Sequence, residues 1–214
     1  ARVAVASALI PSIASGSVSK GKLGDVIRLV FALLLPVNMV LFFFPEPVLK
    51  LINPEYLAAV NPLRIYILAN TVLLMVGLVA THIYASGNYR YTLLINTSVS
   101  TTRVTLYTIL TPLYGAAGAT TAYLAGTIAM TIPVLVRIPR EGIRIPLKHI
   151  TMATIATAVV YLILKSLGQS IATAILALVT AYTVLLVLKI LRKEELQAIT
   201  EAILRKTNPK SRLI

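Results

Sequence analysis

Apolar residues in this chain come in six long runs, roughly Ile27 to Phe44, Leu63 to Tyr84, Tyr91 to Leu110, Ala116 to Val136, Ile150 to Leu167 and Ile171 to Leu191, joined by short polar connections. Each run approaches the ~20 residues that a helix rising ~1.5 Å per residue needs to cross ~30 Å of hydrocarbon. The pattern predicts an all-α fold, a polytopic membrane helix bundle of six complete transmembrane helices. A shorter apolar run, Val3 to Ile10, ends at Pro11 ahead of the small and polar stretch Ser12 to Gly24 and reads as the end of a seventh. The expected division is a transmembrane bundle over 1–193 and a cytoplasmic amphipathic helix and tail over 194–214, where Leu196, Ile199 and Ile203 share one face.

The basic residues sort by connection. Lys20, Lys22 and Arg28 precede the first run, Arg90 lies between the second and third, Arg137, Arg140, Arg144 and Lys148 lie between the fourth and fifth, and a long basic set from Lys189 to Arg212 follows the sixth. The alternate connections hold little beyond Lys50, Arg64 and Lys165. By the positive-inside rule the richly basic connections are cytoplasmic, and so is the C-terminus of this multi-pass cell-membrane protein. The net charge of +13 therefore marks orientation and contact with membrane lipids, and nucleic acid is not an expected partner.

Within the runs, polar residues stand out because lipid offers them no partner. Pro36 and Asn38 fall at mid-depth of the first, and Pro133 near the inner end of the fourth, so Pro36 and Pro133 are the expected kinks. Asn70 lies deep in the second run, where Arg64 is expected to snorkel outward. The third run is too polar for a lipid-facing helix. One stripe, Ile95, Val99, Leu106 and Leu110, is apolar, and beside it Asn96, Ser100, Arg103 and Tyr107 put a cation near the bilayer midplane. Such a charge costs at least ~2.5 kcal/mol and wants a partner or a wet cavity. Arg2, about eleven helical steps of ~1.5 Å from Ile13, falls at a similar depth. In the fourth run Gly118, Ala122 and Gly126 recur at four-residue spacing, which suits close helix approach. The fifth and sixth runs carry no central charge and read as scaffold.

Cysteine is absent, which excludes disulfides and thiolate chemistry, and two histidines supply too few ligands for a metal site. Neither a metal nor a cofactor is expected. Leu9-Ile10-Pro11-Ser12-Ile13 with Gly24-Asp25, then Pro112 to Ala119 with Ala122, and finally Lys193-Glu194-Glu195 with the amphipathic tail follow one another in an order that resembles the polysaccharide flippase branch of the multidrug, oligosaccharidyl-lipid and polysaccharide exporter superfamily. That resemblance implies a fourteen-helix, two-lobed transporter of which this chain is the C-terminal lobe, its N-terminal lobe lying elsewhere in the same protein.

The resemblance further implies membrane translocation of a lipid-linked oligosaccharide or polysaccharide precursor by alternating access. A phosphate or diphosphate crossing a low-dielectric slab needs a counter-cation. Arg103 and Arg2 fit that need, while Asn96, Ser100, Tyr107 and Asn70 suit sugar hydroxyls. Two alternatives stand beside it. A cation-coupled multidrug-type exporter of the same superfamily requires intramembrane carboxylates, and Asp25, Glu46, Glu55, Glu141, Glu194, Glu195 and Glu201 all lie outside the runs. A membrane-embedded glycosyltransferase requires carboxylate and metal ligands, and Glu46 and Glu55 in the first outer connection have no neighbouring Asp or His.

Overall fold

The computed structural model describes residues 20–191, and among them every regular element is helical. Arg2, the end of the seventh helix and the amphipathic segment 194–214 lie outside the described residues. The elements are α1 (Lys20–Phe43), α2 (Pro45–Ile52), a 3-10 turn (Pro54–Ala59), α3 (Val60–Ala85), α4 (Tyr89–Glu141), α5 (Leu147–Ser166) and α6 (Ile171–Val187). Four stretches are long and apolar enough to cross a membrane, namely Leu23–Phe43, Pro54–Ala85, Tyr89–Glu141 and Leu147–Ser166, and α6 is a shorter apolar helix of 17 residues.

A straight helix of 53 residues would reach ~80 Å, more than twice the hydrocarbon thickness. α4 avoids this by breaking at Gly115, whose φ of 55° and ψ of −133° suit a residue without a Cβ. The limbs 89–114 and 116–141 fold back as an antiparallel hairpin. Tyr91 donates its hydroxyl to the Pro133 carbonyl at 2.6 Å, Arg103 meets Gly126 and Thr127, and Leu110 meets Gly118. The small residues permit this approach, since a Cβ on Gly118 would fall 2.0 Å from the Leu110 carbonyl oxygen.

α4 packs on α3, α3 on α1, and α1 on both α5 and α6. One face of α1 (Leu23, Ile27, Val30) joins Val76, Val79 and Ile83 of α3 and Ile95, Val99 and Val134 of α4. Another face (Phe31, Ala32, Leu35) packs against Ala153 of α5 and Leu185, Ile190 and Leu191 at the end of α6. Gly24 lets the α4–α5 connection close onto α1, because a Cβ there would meet the Arg144 carbonyl oxygen at 2.5 Å.

Several local expectations change. α1 ends at Phe43, and Pro45 and Pro47 open α2, where the missing amides cost nothing in a first turn. α1 begins seven residues before Ile27, so Gly24 and Asp25 are helical. Arg28, counted among the topological cations, is 6 % exposed and donates to the Ile190 carbonyl, with Asp25 3.9 Å away. Arg64, expected to snorkel outward, donates its Nε to the Phe42 carbonyl at 3.3 Å and so engages the last turn of α1.

The α1 backbone stays helical through Pro36, and two tyrosines brace it there. Tyr161 of α5 donates to the Pro36 carbonyl at 2.9 Å and Tyr182 of α6 to the Leu33 carbonyl at 2.6 Å. The fifth and sixth runs are thus tied by hydrogen bonds to the proline segment of α1. α6 ends in a Schellman turn with Lys189 in the left-handed region (φ 55°), Ile190 N–H donating to Leu185 and Lys189 N–H to Leu186.

Candidate functional site

The site is built on the α4 hairpin. Arg103 stands fourteen residues from Tyr89 and eleven from Tyr114, midway along a limb of membrane-spanning length. Because the chain reverses at Gly115, the two limbs lie side by side, and Arg103 meets Gly126 and Thr127 of the second limb. Its Nη2 lies 3.5 Å from Thr127 Oγ1, at the outer limit of a hydrogen bond. Its Cζ sits 4.3 Å above the Tyr123 ring centroid, a cation–π contact. Tyr123 in turn packs against Tyr66 of α3, with centroids 5.2 Å apart and planes inclined by 31°. The aliphatic stem crosses Gly126, where a side chain would not fit.

This seat holds the guanidinium without using up its donors. Nε is buried and has no hydrogen-bond partner among the described residues, and the Thr127 contact is long. The ring face and the hydroxyl favour the charge, but neither neutralises it. A half-buried guanidinium with spare Nη donors is suited to an oxyanion, which takes two parallel N–H bonds from one planar fork.

The other residues singled out from sequence distribute differently. Asn96 and Ser100 are exposed on the same limb and Tyr107 is half-buried, so they flank Arg103 along one side of the helix. Asn70 belongs elsewhere. It donates to Asn38 Oδ1 at 3.4 Å, and Asn38 donates to Thr71 Oγ1 at 3.1 Å, which closes a polar cluster between α1 and α3. Two amides at an apolar interface satisfy each other more readily than they reach across to a second helix pair. The backbone of α4 remains helical through Pro133, whose carbonyl receives the Tyr91 hydroxyl. At the open end of the hairpin, away from Gly115, Arg137 pairs with Glu141 at 2.9 Å and lies over the Tyr91 ring.

Sequence reading missed Tyr123, Thr127 and Tyr66. A reversal at Gly115 brings the two limbs together, but which residues meet across them depends on the tilt and rotation of each limb. Gly126, whose four-residue spacing suits helix packing, accommodates the Arg103 side chain as well as the neighbouring helix.

No family model matches the sequence, and no curated protein does. A solved structure, the lipid II flippase MurJ in an inward closed conformation, superposes with a TM-score of 0.72 over 86 % of this chain, at 16 % identity. Over the superposed part this chain shares the fold of that structure. It spans 42 % of the length of that flippase. Identity this low leaves the chemistry to be read from this chain's own side chains.

Proposed function

We propose that this chain is the C-terminal lobe of a multi-pass membrane flippase that moves a lipid-linked oligosaccharide or polysaccharide precursor between leaflets by alternating access. The two limbs of α4 count as separate crossings and α6 as a further one, which gives six in all, with the basic segment after α6 at the cytoplasmic face. The partners are the lipid-linked substrate, the surrounding lipids and the N-terminal lobe of the same protein, and the protein acts as a transporter rather than an enzyme.

One observation carries the reading. Arg103 places a cation with unused donors midway along a membrane-spanning limb, where the phosphate of a lipid-linked sugar would otherwise cross without a counter-charge. Arg2, Asn96, Ser100 and Tyr107 are the residues expected to extend that contact, and Pro36 and Pro133 are where the helices are expected to bend during rocking. A cation-coupled exporter finds less support. Among the described residues Asp25, Glu46, Glu55 and Glu141 all sit at helix ends or in the α2 and 3-10 segment, far along the chain from the depth of Arg103.

The deciding experiment reconstitutes the full-length protein in vesicles and follows a lipid-linked oligosaccharide between leaflets. Arg103→Ala is expected to abolish flipping with normal membrane insertion, and Arg103→Lys to retain part of it, since charge survives and the planar fork does not. Undiminished flipping by Arg103→Ala would remove the assignment.

A further inference from the structure

Hydroxyls collect on the face of the limb 89–114 turned away from α3. Arg90, Leu93, Leu94, Thr97, Ser98, Thr101 and Thr102 line an open groove of about 600 Å³, within the range of small-molecule sites. They recur every three or four residues over ~18 Å of helix, so they form one continuous face. The buried residues Ile95 and Val99 lie on the opposite side.

Hydrogen bonding sets this face apart. A threonine in an apolar medium commonly turns its hydroxyl back to the carbonyl four residues earlier. This chain does so at Thr92 and Thr108, at either end of the same limb, and again at Thr121, Thr131, Thr151 and Thr183. Among the described residues Thr97, Ser98, Thr101 and Thr102 make no hydrogen bond. Four uncommitted hydroxyls on successive turns are costly against hydrocarbon, and they suit a partner that both donates and accepts. No carboxylate and no aromatic ring lines the groove, which disfavours an organic cation.

We propose that this groove is a subsite for a polyhydroxylated headgroup, in which Thr97, Ser98, Thr101 and Thr102 exchange hydrogen bonds with sugar hydroxyls and Arg90 offers a counter-charge to an acidic group at one end. The proposal rests on the flippase reading and adds to it a second surface on α4, on the side of the helix away from the Arg103 seat.

The test uses the full-length protein in membranes, in a background whose only cysteine is the introduced one. This chain contributes none of its own. Thr97→Cys and Thr101→Cys are compared with Thr151→Cys and Thr183→Cys, two exposed positions whose native hydroxyls bond to their own helix. A membrane-impermeant thiosulfonate reagent is expected to modify the groove cysteines much faster than the reference pair, and a lipid-linked oligosaccharide to slow that reaction where the same lipid phosphate without sugar does not. Thr97→Val/Thr101→Val should raise the KM for flipping by about tenfold, the size of one or two hydrogen bonds, while kcat changes little. Groove cysteines as slow as the reference pair would overturn the proposal, because the face would then be covered by lipid or protein. Equal protection by the sugar-free phosphate would overturn it as well. A wild-type protein that flips lipid-linked sugars while its groove stays unprotected refutes the groove alone, whereas a wild-type protein that flips none refutes the reading beneath it.

Discussion

Arg103 lies across Gly126 so closely that a Cβ on the glycine would fall 2.3 Å from Arg103 Cγ and 2.7 Å from its Nε. The arginine's position is therefore set by the absence of a side chain on the opposite limb. Gly126→Ala is expected to push the guanidinium off Tyr123 and to cut flipping in the full-length protein. Overpacking costs ~1–3 kcal/mol, toward the low end here because the displaced atoms belong to a flexible side chain. In a double-mutant comparison read by thermal unfolding, Gly126→Ala should destabilise far less once Arg103 is Ala. An equal loss of stability on both backgrounds would show that the glycine serves helix packing alone.

Tyr161 and Tyr182 each supply one hydroxyl to α1 beside Pro36. Replacing either by Phe keeps the ring and removes a single hydrogen bond, worth ~0.5–1.5 kcal/mol. Thermal unfolding in detergent should report the larger loss for Tyr161→Phe, because Tyr161 is fully buried and Tyr182 is only partly so. The two losses should add, since the hydroxyls serve different carbonyls.

Gly115 is strained for any other residue. With nothing within 4 Å of a Cβ at this position, Gly115→Ala meets no steric neighbour, and its whole effect acts through the backbone. A cost of ~1–3 kcal/mol is expected, read as a lower midpoint of thermal unfolding and faster proteolysis at the turn between the limbs. A variant as stable as the parent would indicate that the reversal is made by other dihedral angles.

Lys189 presents the opposite case, a side chain where glycine fits better. It occupies the left-handed position of the Schellman turn that ends α6. Lys189→Gly is expected to raise the unfolding temperature, gaining ~0.5–1 kcal/mol by relieving the Cβ contact. A decrease would mean that the lysine side chain contributes more than its backbone conformation costs.

The sequence alone determined the helical class, the apolar runs, the small-residue face of the fourth run and the exceptional polarity of the third. These depend on local quantities, namely helix period, run length and the transfer cost of each residue, which sum along the chain without knowledge of neighbours. The apolar stripe of the third run was legible for the same reason, and its members Ile95 and Val99 are buried in the structure. Tertiary structure alone decided that Asn70 turns to Asn38, that Arg28 reaches Ile190 and that Arg103 rests on Tyr123. In helices made of Leu, Ile, Val and Ala nearly all round, composition favours no face strongly, so the rotation and depth of each helix are fixed only when all of them pack together. Which polar side chains meet then follows from that joint choice.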